Sequence, residues 1–445
     1  MYIRNIPWSY YLSAILLFLL PIHYILFVII LGDITVFKYW KEIDLFIIFL
    51  LTFFSLLKSK KGIFSINWTY LFIALFTLVS LYYTVISDIK MTALYHVRIY
   101  VEPFISYFVF KNVSLNINRY NKLCRGLFYL TVLISIYGIF QSLVLKPQFL
   151  VWLGYPSNNG QLGDVFFLSG FPDFQRVTST FVYPNTFAYF LGMIIILVIV
   201  QIKKIIINKG LVIAGLAIFF IAMFLTFSRS SWIGILATLA ICGIFKFIEN
   251  NINSLKKFRL NKKIAGISAC IIAILAVFLY VFRNYGIIKI FIQYMHKTFS
   301  LRDTSAVGHI VSINNSLSTI RDHPFGTGLG TNGPKALLSM AAPHLTESSY
   351  FLMIFEVGII GAILYFAIYF SVLVRSFLLT RSAHNEFVKN LGFFNICLVI
   401  FSLVVFFFLP HIQDVETLIF LFSLLGIHEN VNLIKSTRNL EGEHH

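Results

Sequence analysis

The feature that most constrains this chain is its repeated use of apolar runs of membrane-crossing length. A run of about 18 or more apolar residues is a transmembrane candidate, because about 20 residues of helix span the hydrocarbon core. Twelve apolar runs are readable, most near that length: 9–31, 43–57, 68–86, 95–110, 126–145, 183–202, 211–227, 230–248, 264–282, 349–374, 391–409 and 416–431. Hydrophobic residues make up 58% of the 445 and charged residues 12%, against about 25% charged in a soluble domain. One core cannot hide that surplus. The expected fold class is an all-α polytopic membrane protein with about twelve transmembrane helices. The first run is long and lacks a small-residue cleavage site, so it reads as an anchor and not as a removable signal.

Lysine and arginine set the orientation, since they concentrate in cytoplasmic loops. With the N-terminus inside, the cytoplasmic segments hold 22 basic and 5 acidic residues, and the outer segments 13 of each. The whole net charge of +17 then lies on one side. That supports an even number of spans, with both termini cytoplasmic. The basic loops are short and lack interleaved aromatics, so orientation and lipid contact account for them, and nucleic acid is not an expected partner. The four cysteines, Cys124, Cys242, Cys270 and Cys397, have no metal-ligand spacing.

The chain divides into N-terminal helices (1–125), central helices (126–282) with an outer loop at 146–182, a large extracytoplasmic cap loop (283–348), and C-terminal helices with a tail (349–445). In the cap, 305–321 shows helical spacing, and a second short helix is expected at 334–341. Between them lies DHPFGTGLGTNGP, which formally holds G-x-G-x-x-G. A dinucleotide site needs a strand before it and a βαβ unit around it, and neither is readable. The run is a glycine turn, or an anion nest of free N–H groups. No internal repeat of the kind found in transporters is evident.

Several polar residues sit where the spans end. Arg229, in TFSRSSWIG, joins two apolar runs almost without a loop. It can snorkel to headgroups, or clamp an anion through its fork of donors, with Ser228 and Ser230 beside it. Arg176 precedes a span in RVTSTFVYPN, ahead of Asn185. Arg302 can pair with Asp303, and Arg321 closes the 305–321 segment. Glu347 and His344 precede the span at 349–374, three residues apart, and either suits proton transfer from a hydroxyl. An acid such as Glu347 is also favoured simply by a helix N-terminus. Glu356 lies deeper, where an ionisable group is a functional hypothesis by default.

Taken in order over about 176–361, these segments resemble the O-antigen ligase and polymerase superfamily. Arg176 with Pro184 and Asn185 is similar to its Arg…Pro-Asn segment, and Ser228-Arg229-Ser230 to its Ser-Arg motif. Arg302, the helix and HPFGTGLG are similar to its cap loop. TESSYFLMIFEVGIIG, with Tyr350 and Glu356, is similar to its His-Asn-x-Tyr-Leu…Glu-x-Gly segment. Where ligases of the family carry a histidine, nine residues before the span glutamate, this chain has Glu347. That departure leans the reading toward a polymerase.

The resemblance implies a glycosyltransferase at the outer leaflet of a bacterial plasma membrane. Its donor would be a glycan on undecaprenyl diphosphate and its acceptor a lipid-linked glycan. Arg229, Arg302 and Arg176 would hold the diphosphate. Glu347 would activate the acceptor hydroxyl, with His344 as the alternative. Asn185, Ser228, Ser230, Arg321, Gly328, Gly330, Tyr350 and Glu356 complete the candidate substrate-binding set. No metal and no cofactor is required. A chain-length regulator protein and membrane lipids are the expected partners. A ligase acting on lipid A core or protein, and less so a lipid-linked sugar transporter, are the rival readings.

Overall fold

The structure, a computed structural model, describes residues 8–32, 34, 37, 39–58, 67–87, 89–202, 205, 206, 208–252, 286–300, 304–338 and 346–442. The span expected at 264–282, the residues Arg302, His344 and Cys270, and the basic clusters at 60–61, 203–204 and 256–263 lie outside them.

The described chain is built of helices. They run α1 (Trp8–Leu19), α2 (Trp40–Lys58), α3 (Trp68–Ile86), α4 (Lys90–Asn112), α5 (Ile117–Phe140), α6 (Lys146–Leu153), α7 (Pro184–Leu197), α8 (Lys209–Leu225) and α9 (Arg229–Ile252). After the gap come α10 (Gly286–Phe299), α11 (Thr304–Asp322), α12 (Ser349–Ser382), α13 (Glu386–Phe408), α14 (Val415–His428) and α15 (Val431–Gly442). Local chemistry sets several starts. Asn67, Asn116, Asn208 and Asn385 each accept a bond from a first-turn N–H of α3, α5, α8 and α13. Pro184 opens α7, where its missing N–H costs nothing.

Among the described residues, six helices are long and apolar enough to cross a membrane: α3, α5 continued to Leu153, α7 continued to Gln201, α12, α13, and α14 continued to Thr437. A seventh span results if Trp8–Ile22 and Tyr24–Ile30, bent by 72° to each other, count as one. This is a helical membrane protein, with six or seven such spans among the described residues; the sequence suggests twelve, one of which, 264–282, lies outside them. The difference has physical sources. The first apolar run breaks at Pro21 and His23. Helices α2 and α4 have the length but carry Lys41, Glu42 and Asp44, or Arg98 and Glu102. Helices α8 and the apolar part of α9 are short.

Helix α14 is the axis of the bundle. All of it is buried except Glu416, and it packs along α4. Around that pair, α12 packs on α3 and α13, and α13 also meets α9 and α7. Packing also joins two of the scattered cysteines: Cys242 of α9 and Cys397 of α13 lie with their sulfurs 3.1 Å apart. The 146–182 segment holds α6 and two small antiparallel pairs: β1 (Ser157–Asn158) with β2 (Gln161–Leu162), and β3 (Phe167–Leu168) with β4 (Phe171–Gln175). Leu168 packs with Phe227 and Tyr294, so this segment and α10 cover one end of the bundle together. In the cap, α11 matches the expected helix. The expected 334–341 helix is a 3-10 turn at Pro334–Leu338, and residues 339–341 lie outside the described ones.

The opposite end is pinned by a buried charge cluster. Glu429 Oε2 accepts from Lys111 Nζ at 2.8 Å, Arg375 Nε at 3.1 Å and the Tyr107 hydroxyl at 2.8 Å. This ties α4, α12 and the end of α14. Removing one member of a buried pair strands the others at a cost of about 3–5 kcal/mol. Glu429→Gln should therefore lower the thermal unfolding midpoint of the detergent-solubilised protein clearly. An unchanged midpoint would show that the cluster is not a clamp.

Candidate functional site

Most of the described polar residues singled out in the sequence collect at the end covered by 146–182 and α10–α11, in three groups.

The first is built around a break in α12. Gly358 has φ 68° and ψ 179° inside the helix, a conformation that suits glycine. The broken helix leaves backbone groups unpaired, and the HPFGTGLG run fills them. Thr327 N–H donates to the Phe355 carbonyl at 2.7 Å, Gly328 N–H to the Glu356 carbonyl at 3.0 Å, and Ile359 N–H to the Pro324 carbonyl at 3.1 Å. The Glu356 side chain is fully buried and grips the same run. Its Oε1 accepts from Gly330 N–H at 3.0 Å, and its Oε2 from the Tyr100 hydroxyl at 2.5 Å. The Asn332 N–H adds a backbone donor, and His96 Nε2 stands 4.0 Å from Oε1. The run is thus a nest whose anion is a side chain of the protein. This corrects two expectations. The amides of Gly328 and Gly330 are used internally, so they are not open to a substrate phosphate. Glu356 holds the loop and presents no oxygen to a ligand.

The second group is the arginine pair at the α8–α9 turn. Phe227 sits there at φ 50°, unusual for a bulky residue. Its ring is wedged near Phe174, Phe224 and Tyr294, and Ser228 N–H donates to the Thr226 hydroxyl at 3.2 Å. The turn throws Arg229 toward α10, where Nη1 donates to the Thr298 hydroxyl at 2.8 Å and the guanidinium lies 5.1 Å over the Tyr294 ring. The hydroxyls of Ser228 and Ser230 are buried and bond each other at 3.2 Å. Arg176 approaches from the loop before α7. It donates to the carbonyls of Thr226 at 2.7 Å and Val165 at 3.2 Å, and to Asn185 Oδ1 at 2.6 Å. Those acceptors are neutral, so no carboxylate among the described residues offsets its charge. Burial, together with the field of Arg229, pushes the Arg176 guanidinium down to about 10, while Tyr294 opposes the shift. It remains charged at neutral pH, beside a second cation. Guanidinium groups that feel each other's field in this way can attract an anion.

The third group surrounds Glu347, which lies ahead of α12, not on it. Its N–H donates to the Ser312 hydroxyl of α11 at 3.1 Å. Next to it, Thr346 is held on both sides by Asn332: N–H to Oδ1 at 3.1 Å, and Oγ1 accepting from Nδ2 at 2.6 Å. Asn332 also gives its carbonyl to Gln413 Nε2 at 2.9 Å. The glycine run, the Glu347 segment and the α13–α14 turn therefore form one hydrogen-bonded unit. Two expected site residues stand apart from it. Tyr350 gives its hydroxyl to the Leu403 carbonyl at 2.9 Å and stacks on Phe366. Arg321 is exposed at the far end of α11.

Sequence reasoning passed over His96, Tyr100, Asn332 and the His411–Asp414 turn. The available signal was the polar run HIQD between the last two spans, within an otherwise apolar stretch.

Residues 214–366 match the family model described as O-Antigen ligase. The matched stretch holds Arg229, the glycine run, Glu347 and Glu356. Arg176, Asn185 and the α13–α14 turn lie outside it. No curated protein gives a significant match to the chain. The match covers about a third of the chain, and it agrees with the resemblance to the O-antigen ligase and polymerase superfamily read from 176–361.

Removing the Glu356 carboxylate should release the glycine run. Each buried group left unpaired costs about 1–3 kcal/mol, and Gly330 N–H and the Tyr100 hydroxyl would both lose their acceptor. Glu356→Ala is expected to expose the 324–333 segment to limited proteolysis, whereas Glu356→Gln, which keeps an acceptor oxygen, protects it better. Equal proteolysis in both variants would sink this account.

Proposed function

We propose that this chain, matched over 214–366 to the O-antigen ligase family, is a surface-polysaccharide polymerase. It transfers a growing glycan from undecaprenyl diphosphate onto a lipid-linked repeat unit at the outer leaflet of the plasma membrane. The observation that carries the reading is the convergence of Arg176 and Arg229 at the turn inside the matched family segment. A departing diphosphate gathers negative charge. Fixed guanidinium groups aimed at that charge lower the barrier, and such preorganised electrostatics commonly contribute more to catalysis than any other effect.

In this scheme Arg229 and Arg176 hold the diphosphate, with Arg302 as a third cation. Asn185 orients Arg176, and Ser228 and Ser230 shape the turn that carries Arg229. Glu347 takes the proton from the acceptor hydroxyl as that oxygen attacks the anomeric carbon and the lipid diphosphate departs. His344 is the alternative proton acceptor. The arginines supply the charge a divalent metal supplies elsewhere, so the scheme requires none. Both chain ends are cytoplasmic, the site faces outward, and a chain-length regulator is the natural protein partner.

Purified protein in liposomes, given only lipid-linked repeat units, should yield a ladder of products. Arg229→Ala should reduce it by about 10²–10³-fold, with Arg229→Lys intermediate. Wild-type-like transfer by Arg229→Ala would remove the clamp. The ligase reading makes the opposite forecast: no ladder, and glycan appearing on added lipid A core or protein. That result would overturn the polymerase assignment.

A further inference from the structure

A second polar basin lies beside the arginine pair and is used nowhere in the scheme above. Its floor is the start of α14, where Asp414 and Glu416 project from a helix otherwise buried. Each carboxylate is pinned from one side. His411 Nδ1 lies 2.5 Å from Asp414 Oδ2, and the Thr186 hydroxyl donates to the same oxygen at 3.2 Å. Lys41 Nζ and His23 Nε2 stand 3.2 and 3.4 Å from Glu416 Oε1. His23 is itself fixed by Trp40 Nε1 at 2.8 Å. Every one of these contacts falls on one oxygen of its carboxylate. Asp414 Oδ1 and Glu416 Oε2 are left without a partner residue among those described, on side chains 29% and 32% exposed.

Lys335 closes the basin. Its backbone N–H is tied to Gln413 Oε1 at 3.1 Å. Its ammonium makes no hydrogen bond or ion pair with a described residue. Burial works to lower its pKa, yet Glu416 and Asp414 outweigh burial and hold it above its ordinary value. The ammonium therefore stands within the field of both acids without touching either. The phenol of Tyr183, 40% exposed, acts on it in the same direction as the two acids.

Acids in a first helical turn are favoured by the helix dipole alone. That explanation needs no pinning from three other segments, and it does not account for the Lys335 ammonium. Charge decides what the basin takes. Asp414 and Glu416 face Lys335 and Lys41, and Lys41 also pairs with Glu42 at 3.2 Å, so the basin has no surplus of positive charge, unlike the arginine pair. A phosphate gains nothing from it. A metal ion would face the Lys335 ammonium, and no group of three or more metal-ligating side chains exists among the described residues. Two fixed acceptors, an ammonium donor and a neighbouring phenol suit a neutral, hydroxyl-rich ring, since a few placed polar groups set a ligand's orientation and specificity.

We propose that Lys335, Asp414 and Glu416 form the subsite that binds a neutral sugar ring of the lipid-linked glycan, separate from the arginine pair that takes its diphosphate. The first turn of α7 joins the two: Asn185 holds Arg176 and the adjacent Thr186 holds Asp414. The inference rests on the glycosyl-transfer reading for the identity of the ligand, but its test does not require turnover.

The full chain in lipid nanodiscs is treated with an amine-acetylating reagent, and Lys335 modification is followed by mass spectrometry. The probes are lipid-linked repeat unit extracted from source cells lacking this gene, and undecaprenyl diphosphate alone. Repeat unit at about ten times its half-saturating concentration should slow acetylation of Lys335 by about ten-fold, and undecaprenyl diphosphate should not. In transfer assays, Lys335→Met and Glu416→Gln should each raise the half-saturating concentration of repeat unit by about ten-fold or more, the loss expected for a hydrogen bond to a charged group, with little change at saturation. Protection by undecaprenyl diphosphate alone would reassign the basin to phosphate and overturn the proposal. Absence of protection by either probe, or unchanged half-saturation in both variants while Arg229→Ala is inactive, overturns it as well. Protection of Lys335 without any transfer product keeps the subsite and overturns the polymerase reading instead.

Discussion

The arrangement of the loop-covered end depends on one buried carboxylate. Glu356 sits at zero exposure inside a helix, where an unsatisfied charge would be prohibitive. It is satisfied by a backbone loop on one side and the Tyr100 hydroxyl on the other. Because those donors come from the glycine run and from α4, the acid fastens the loop to the helix break and the break to the bundle. Asn332, two residues further along, then fixes the segment that carries Glu347 and the turn that carries Asp414. The glycines serve this geometry. A side chain at Gly326 or Gly358 would meet backbone of the facing segment at 2.5–2.6 Å.

Much of the fold was legible because hydropathy is a local signal. Residues 68–86 are mostly apolar and carry no charged side chain, and α3 has those limits. The capping asparagines were equally readable in principle. What escaped was set by partners far along the chain. The first apolar run bends by 72° near Pro21, and the two-part form of α12 depends on a loop about 30 residues earlier pairing with it. The glycine run was recognised as a possible anion nest, but nothing local says that its anion is Glu356.

The candidate site divides in the same way. Arg176, Asn185 and Arg229 were visible as polar residues at the ends of apolar runs, and the structure joins Arg176 to both Asn185 and the field of Arg229. Asp414 and Glu416 were passed over because acids at a helix start have an ordinary explanation. Their interest arises from Lys41, His23, Thr186 and Lys335, which lie from about 80 to nearly 400 residues away in sequence. Two neighbouring polar clusters of unlike make-up, one built on arginines and one on paired acids and lysines, emerge only once those segments are packed.

The contact between Cys242 and Cys397 has a practical consequence. Two thiols with their sulfurs 3.1 Å apart on neighbouring helices are a native ruler. A membrane-permeant oxidant can bridge them only while α9 and α13 stay in register, since a disulfide tolerates little change in sulfur separation. Helix α9 also begins with Arg229, so the yield of that bridge reports, without introducing a foreign residue, whether the helix carrying the arginine shifts against the core when substrate arrives.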